Sequence, residues 1–152
     1  MIAPTADASA TIRPASIADL ARVERLLTDS QLPLAGVKEA FETFVVAESG
    51  SEIVGVAGLE VCCDDALLRS VAVRSEWRSR GVGSALVTRA ISDAEARGIR
   101  ALYLLTTTAE RYFPSFGFSQ IQRAQVPADL QATVEFTTAC SDTAIVMTKS
   151  LR

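Results

Sequence analysis

The feature that most constrains the fold of this chain is a glycine-containing segment between an apolar strand and an amphipathic helix. Residues 67–73 read LLRSVAV, as buried strands do, and residues 78–83 read RSRGVG. Apolar residues then recur at helical spacing to about Arg97, and Gly98 is a C-terminal cap signal. A second apolar strand, IRALYLLTT, follows at residues 99–107. This order predicts one right-handed crossover that joins two parallel strands.

The remaining segments predict an α+β fold whose central sheet is mixed and mostly antiparallel. Ser16 and Asp19 form a capping-box pattern at the start of the first helix, and SGSE at residues 49–52 is a hairpin turn. The other predicted strands are 11–16, 43–48, 53–61, 117–122 and 143–149. The other predicted helices are 17–29, 32–41, 109–116 (broken by Pro114) and 126–136.

Composition excludes several classes of protein. A chain of 152 residues that is 49% hydrophobic predicts one domain, residues 11–152, after a flexible tail at 1–10 that lacks the pattern of a signal peptide. No apolar run is long enough for a membrane span, and a net charge of −3 argues against nucleic-acid binding. Three cysteines without CxxC spacing (Cys62, Cys63, Cys140) favour neither a disulfide framework nor a zinc site, so a cytoplasmic location is expected.

The chain contains no histidine. Ser-His-Asp and Cys-His catalysis are therefore excluded, as are HExxH metal sites. Any proton transfer must use a carboxylate, a phenol, an amine, a thiol, a terminus or water.

The RSRGVG segment is a candidate phosphate loop. It lacks the Lys-Ser/Thr of a Walker loop, and Leu86 stands where a dinucleotide fingerprint needs a small residue. It fits the pyrophosphate loop of acyl-CoA transferases, Arg/Gln-x-x-Gly-x-Gly/Ala, without a gap. Glycines let the backbone approach a diphosphate, and the first N–H groups of the helix donate to its oxygens. The alternative is a glycine-rich turn that only starts a helix.

From Ile12 to Leu151 the sequence resembles the GNAT superfamily of N-acetyltransferases. The resemblance rests on IRPASIADL, SVAVRSEWRSRGVGSALV and FPSFGF, in that order. More narrowly, GVAGLEV, LLRSVAV, ALYLLTTTAERYFPSFGF and EFTTAC resemble the ArsN-type acetyltransferases of arsenic-resistance operons. The resemblance implies a GNAT fold whose sheet splays between its fourth and fifth strands, with acetyl-CoA as co-substrate and no metal.

The resemblance also implies a set of cofactor-binding residues. The pantetheine arm would pair with the backbone of the fourth strand, and the pyrophosphate would take main-chain N–H groups of the loop. A backbone N–H near Val71 would stabilise the oxyanion of the reaction. The cofactor-binding residues are then Val71, Ala72, Val73, Arg78, Ser79, Arg80, Gly81, Val82, Gly83 and Ser84.

The catalytic residues of the family map poorly onto this chain. The slot of the tyrosine that protonates the leaving thiolate holds Phe113, and Tyr112 stands one place earlier. We predict Tyr112 as the thiol acid, and the alternative is a ring packed against the fifth strand, with water as the acid. Leu67 replaces a glutamate that is frequent early in the fourth strand. Glu60, in an otherwise apolar strand, is the predicted base; the alternative is a solvent-facing strand end.

Three residues are predicted to contact the acceptor: Arg69, Ser70 and Thr107. An arginine inside a half-buried strand often binds a carboxylate or phosphinate with both of its outer nitrogens. The alternative for Arg69 is a charge on a solvated face. Adjacent Cys62 and Cys63 would point to opposite sides of a strand, so buried packing is expected for them rather than arsenic binding.

These observations predict an acetyl-CoA-dependent N-acetyltransferase of a small, amino-acid-like amine, with possible action on arsenic or phosphinate amino acids. An ordinary metabolic amino acid such as glutamate is the alternative acceptor. A catalytically degenerate acyl-CoA sensor is the alternative of another class. A homodimer through the C-terminal strands is also predicted, and neither nucleic acid nor a membrane is expected as a partner.

Overall fold

One mixed sheet of seven strands forms the centre of the protein in the computed structural model, which describes residues 9–62, 64–132 and 144–151. The strand order is β1-β2-β3-β4-β5-β7-β6. The strands are β1 (Thr11–Pro14), β2 (Val45–Ser49), β3 (Glu52–Cys62), β4 (Asp65–Val73), β5 (Ala101–Thr106), β6 (Ser119–Ile121) and β7 (Ile145–Ser150). The α-helices are α1 (Leu20–Asp29), α2 (Val82–Ala96) and α3 (Ala128–Gln131). The predicted fold class is confirmed.

The crossover through α2 places β4 and β5 side by side and parallel, as predicted. Their ladder holds only three residue pairs, from Asp65 opposite Ala101 to Leu67 opposite Tyr103. Beyond Leu67 the two strands separate, although β4 continues to Val73 and β5 to Thr106. The separation opens a wedge in the middle of the sheet.

Apolar side chains pack on both faces of the sheet. The nonpolar face of α2 contributes Leu86, Val87, Ala90 and Ala94 to a cluster that also includes Trp77 and Phe118. The face of α1 contributes Val23, Leu26 and Leu27 to a second cluster. Burial on both faces explains why β3 and β4 are almost continuously apolar rather than alternating.

The N-terminal capping box predicted from Ser16 and Asp19 is present. The Ser16 amide donates to Asp19 Oδ2 at 2.8 Å, and Asp19 is buried. Arg13 and Arg22 also donate to this carboxylate, each at 2.8 Å. The carboxylate therefore joins β1 to α1.

The helix predicted at 32–41 is wrong. The structure has turns there, followed by a short 3-10 helix at Phe41–Thr43. Pro33 lacks an N–H donor, and Gly36 takes a left-handed conformation with φ +83°, so no helical ladder can run through the segment. Val37 is fully buried and fixes the turns on the core.

The two helices predicted after β5 are observed in part. The 109–116 segment contains only a 3-10 helix at Phe113–Phe116, with Pro114 near its start. The helix predicted at 126–136 is observed as α3, and its continuation from residue 133 lies outside the described residues. The predicted tail at 1–10 lies outside them as far as residue 8. Within the described ranges, no helix has the length and apolar character that crossing a membrane requires.

Candidate active site

A cleft of about 680 Å³ fills the wedge between β4 and β5. One wall is the second half of β4, and the opposite wall is the end of β5 with the turn after it. The turn after α1 closes a third side, and the start of α2 lies at one end. Twelve of the predicted site residues line it: Arg69, Ser70, Val71, Ala72, Val73, Arg78, Ser79, Gly81, Gly83, Ser84, Thr107 and Tyr112.

A β-bulge at Ser70 shapes the β4 wall. Val56 pairs with Ala72 and Gly58 with Arg69, so two residues of β4 face one residue of β3. Ser70 absorbs the extra residue with φ 60°. Because the β5 ladder has already ended at Leu67, the backbone at the bulge borders the cleft and pairs in neither the β3–β4 nor the β4–β5 ladder of the described strands. This is the position at which the predicted oxyanion donor near Val71 would act.

The loop at the other end has the conformation that phosphate binding requires. Gly81 has φ +84° and is the N-terminal cap of α2, and a Cβ added there would meet no atom within 4 Å. Ser79 also has a positive φ, of 66°. The exposed N–H groups and positive dipole of a fifteen-residue helix therefore face the cleft next to open space.

Three predicted site residues do not line the cleft. The Arg80 guanidinium lies over the Trp77 ring, 4.9 Å from its centroid, and is exposed to solvent. The Val82 side chain is buried in the core, so only its backbone faces the loop. Glu60 does not line the cleft, but its carboxylate contacts Arg69, which does. Their roles in binding and catalysis stay predictions.

Tyr112 lies at the loop end of the cleft. An added Cβ on Gly83 would stand 3.1 Å from the Tyr112 hydroxyl and 3.5 Å from Val73 Cγ2. Val73 is three residue steps along the strand from Ser70 at the bulge, a distance of about 10 Å. Burial raises the pKa of the Tyr112 phenol, so the phenol keeps its proton at neutral pH.

The residue in the family's tyrosine slot is part of the core. Phe113 is 7% exposed and packs edge-on against Phe118 and Tyr112. The 3-10 geometry around Pro114 turns Tyr112 toward the cleft instead, with 40% of its surface exposed. Tyr112 is thus a cleft residue rather than a ring buried against β5, and its predicted role as an acid stays a prediction.

Glu60 and Arg69 form an ion pair, with Arg69 Nη1 2.9 Å from Glu60 Oε1. The Arg69 side chain is fully buried, whereas that of Glu60 is 19% exposed. Arg69 also donates to the Ala35 carbonyl at 2.6 Å and to Ser70 Oγ at 3.1 Å. These hydrogen bonds occupy guanidinium N–H groups that would otherwise be available to bind an acceptor carboxylate.

The polar residues after β5 divide between structure and cleft. Thr106 Oγ1 accepts hydrogen bonds from the amides of Thr108 and Ala109, at 3.3 and 2.9 Å, and these bonds stabilise the turn after β5. Thr107 is exposed and lines the cleft. Cys62 is a free, partly buried thiol packed with Leu67 and other apolar side chains, while Cys63 and Cys140 lie outside the described residues.

Sequence reasoning missed the wall contributed by residues 30–33, of which Gln31 is the polar and exposed member. Residues 30 and 31 fell between the two predicted helices 17–29 and 32–41, and a glutamine gives no signal for the left-handed conformation found at Gln31, with φ 61°. A glycine at this place would have been read as the end of α1.

Comparisons with known proteins agree with this geometry. The acetyltransferase (GNAT) domain model matches residues 40–120, just over half of the chain. An amino-acid acetyltransferase of Pseudomonas fluorescens is 31% identical over 94 residues, which are 60% of this chain and 22% of that protein. A similar protein of Aeromonas salmonicida is 29% identical over 92 residues, 59% of this chain and 21% of that one. This chain thus spans about a fifth of the length of these relatives.

An uncharacterized N-acetyltransferase of Chlorobaculum tepidum matches over a larger share, 82% of this chain and 83% of its own, at 25% identity. Among solved structures, N-acetylglutamate synthase of Neisseria gonorrhoeae, complexed with coenzyme A and N-acetyl-glutamate, has a TM-score of 0.81 at 20% identity. It covers 95% of this chain and 35% of its own. A Mycobacterium tuberculosis protein in complex with CoA has a TM-score of 0.80 at 23% identity, with coverage of 93% and 99%. By its family match and its fold, the chain belongs to the GNAT acetyltransferase family.

Proposed function

We propose that this protein transfers the acetyl group of acetyl-CoA to the amine of a small, amino-acid-like acceptor. The observation that carries the proposal is the cleft itself. It joins a helix N-terminus preceded by Ser79 and Gly81 in left-handed conformations to a bulged strand edge at Ser70. GNAT acetyltransferases take their acetyl group from acetyl-CoA, whose diphosphate and thioester lie at opposite ends of a long arm.

The two ends of the cleft suit the two ends of that arm. The diphosphate oxygens would accept hydrogen bonds from the N–H groups of residues 81–84. The positive charge of Arg78, which lines the cleft, would also attract them. The pantetheine would lie along Val71–Val73, where β4 has lost its β5 partner and offers free backbone edge. The thioester would then reach the bulge at Ser70.

At the bulge, the neutral acceptor nitrogen attacks the thioester carbon and forms a C–N bond. The carbonyl oxygen becomes an oxyanion, for which a backbone N–H near Val71 is the proposed donor. The C–S bond then breaks, the nitrogen loses a proton to a base, and the thiolate gains one. We propose Glu60 as the base, acting through water because Glu60 does not line the cleft. We propose Tyr112 as the acid.

The amino-acid character of the acceptor is supported by the relatives, several of which carry the name amino-acid acetyltransferase. The sequence resemblance to ArsN-type enzymes supports a narrower class of acceptor, amino acids that bear an arsenic or phosphinate group. Both classes share an α-amino group and an acid, so one panel of acceptors tests them together.

The test is a thiol-release assay with acetyl-CoA and free L-amino acids, L-glutamate among them, together with phosphinothricin and arsenical amino acids. Mass spectrometry of the product identifies an N-acetyl group. We expect at least one α-amino acid to be acetylated at a rate that disappears in Gly81→Val. Tight acetyl-CoA binding without transfer to any member of the panel would contradict the enzyme and favour an acyl-CoA sensor.

A further inference from the structure

Backbone strain in this protein is concentrated at the cleft. Across residues 9–62, 64–132 and 144–151, three residues other than glycine have a positive φ: Gln31 at 61°, Ser70 at 60° and Ser79 at 66°. All three line the same cleft. Left-handed conformations of such residues persist only where the surroundings impose them, and they cluster at binding sites. Ser79 belongs to the phosphate loop and Ser70 to the bulge, which leaves Gln31 without an assigned role.

Gln31 occupies the left-handed position of a Schellman motif at the end of α1. The Leu32 amide donates to the Leu27 carbonyl at 2.9 Å, and the Gln31 amide to the Thr28 carbonyl at 3.0 Å. Glycine is the residue that fits this position without cost, because it has no Cβ. The motif therefore explains the conformation of the backbone, but it does not explain why a long polar side chain is present.

The segment that follows Gln31 is held firmly against β4. Arg69 Nη2 binds the Ala35 carbonyl, and a Cβ added to Gly36 would stand 2.8 Å from Arg69 Nη1. Arg69 is in turn fixed by Glu60 and Ser70. The segment that contains Gln31 is therefore held at both ends, by the Schellman motif at one end and by the buried Arg69 guanidinium at the other.

We propose that Gln31 contacts the acceptor and helps to select it, an inference that rests on the proposed acetyl transfer. Gln31 is exposed and lines the same cleft as the bulge, and its carboxamide carries one acceptor oxygen and two N–H donors. Those groups can bind either the carboxylate or the ammonium of an amino acid without adding a charge. Gln31 thus supplies, from the turn after α1, a polar contact that Arg69, already paired with Glu60 and Ala35, does not offer.

The test uses two variants of the full chain. Gln31→Gly removes the side chain and relieves the backbone, whereas Gln31→Met keeps the length and removes the carboxamide. Gln120→Met, on the exposed edge strand β6, is the matched control. Each protein is measured for Tm, for acetyl-CoA Kd by calorimetry, and for kcat and KM with the amino acid that the wild type acetylates fastest.

We expect Gln31→Gly to raise Tm by roughly 1–3 °C, because a left-handed glutamine is replaced by the residue that suits the position. Both variants should raise the acceptor KM about tenfold, the value of one lost hydrogen bond, with unchanged acetyl-CoA Kd. Gln120→Met should change none of these quantities.

An unchanged acceptor KM in both Gln31 variants would overturn the proposal, and so would a Tm that falls in Gln31→Gly. An effect in Gln31→Gly alone would assign the result to the backbone and also overturn it. Failure of the proposed function looks different, since the wild type itself would then transfer no acetyl group to any amino acid, and the assignment of Gln31 would fall with it.

Discussion

At the scale of single residues, the Glu60–Arg69 pair decides how the reaction can obtain a base. The carboxylate accepts a hydrogen bond from a fully buried guanidinium, and removing one member of such a pair leaves the other charge without its partner. Glu60 can therefore take part in catalysis only while Arg69 keeps it in place, and only through a water in the cleft.

If Glu60 is the base, Glu60→Gln lowers kcat by roughly 10²–10⁴-fold and removes the acidic limb of the pH–rate profile, because an amide cannot take the proton. The measurement is kcat across a pH series with one acceptor. Arg100→Lys is the control, since Arg100 forms an ion pair of the same 2.9 Å length with Asp65, the first residue of β4, and neither residue lines the cleft. Near-normal kcat in Glu60→Gln, with an unshifted acidic limb, would remove Glu60 from the mechanism.

Tyr112→Phe separates two roles for the phenol. If the phenol acts as the acid, its loss in Tyr112→Phe should lower kcat and leave acetyl-CoA affinity unchanged. Its hydroxyl, however, lies beside Gly83 and Val73, at the phosphate end of the cleft. Calorimetry with acetyl-CoA distinguishes the acid role from a role in cofactor binding. An unchanged Kd with a kcat reduced more than tenfold supports the acid role. A raised Kd with normal kcat shows that the phenol binds the cofactor and leaves water as the acid.

At the scale of elements, the loop before α2 depends on two glycines for different reasons. Gly81 has open space around it but a left-handed φ of +84°, so Gly81→Val strains the backbone by about 1–2 kcal/mol. In Gly83→Val the new side chain meets the Tyr112 hydroxyl and fills the phosphate end of the cleft. We expect both variants to weaken acetyl-CoA binding by calorimetry. Circular dichroism should show a retained fold, and unchanged affinity in both would contradict the loop assignment.

The junction of β1 and α1 makes stability depend on pH. Hydrogen bonds from Arg13, joined by the Ser16 amide, hold the pKa of Asp19 far below its ordinary value near 4. Since this pKa is lower in the folded protein than in the unfolded chain, the stabilisation is complete above pH of about 5 and declines as the pH falls through 4 and below. Asp19→Asn should cost about 1–3 kcal/mol at pH 7.

The difference in unfolding free energy between Asp19→Asn and the wild type should shrink as the pH falls from about 5 to 3, because the carboxyl of the unfolded chain then binds a proton while the folded one stays ionised. Urea titrations at a series of pH values measure this. A constant difference across that range would show that the charge of Asp19 does not contribute to the stability of the junction.

At the scale of the whole molecule, the topology limits how a dimer could form. The strand β7 pairs with β5 on one side and with β6 on the other, so it offers no open edge. Among residues 9–62, 64–132 and 144–151, the strand at this edge of the sheet is β6, which has only three residues. We therefore propose that a homodimer would form through a face of the sheet or through the β6 edge, rather than through the edge of β7.

Sedimentation at micromolar concentration tests the dimer. Gln120→Pro, on the β6 edge, should dissociate a dimer formed by edge pairing, because proline donates no hydrogen bond. Ile17→Asp, at an exposed apolar residue before α1, is the control at a distant surface. A wild type that sediments only as a monomer would reject the dimer altogether.

The order of the strands, the crossover and the glycine turn before α2 follow from the amino-acid sequence alone. These rest on local physics: apolar periodicity, turn glycines and capping residues act over a few positions along the chain. The sequence also placed Arg69, Ser70 and Thr107 on one cleft, because the ends of β4 and β5 must meet once the crossover is known. The prediction of a helix at 32–41 was wrong because the effect of Pro33 and Gly36 on the backbone outweighed the helical spacing of the apolar residues.

Only the tertiary structure decided what these side chains contact. Arg69 looked free to bind an acid, but Glu60 and Ala35 reach it from segments 9 and 34 positions away. Tyr112 looked like a thiol acid one place out of register, and the 3-10 turn at Pro114 sets it beside Gly83. The left-handed Gln31 gives no sequence signal. Each depends on contacts between distant segments, whose energy no local pattern contains, because it arises only when the chain is folded.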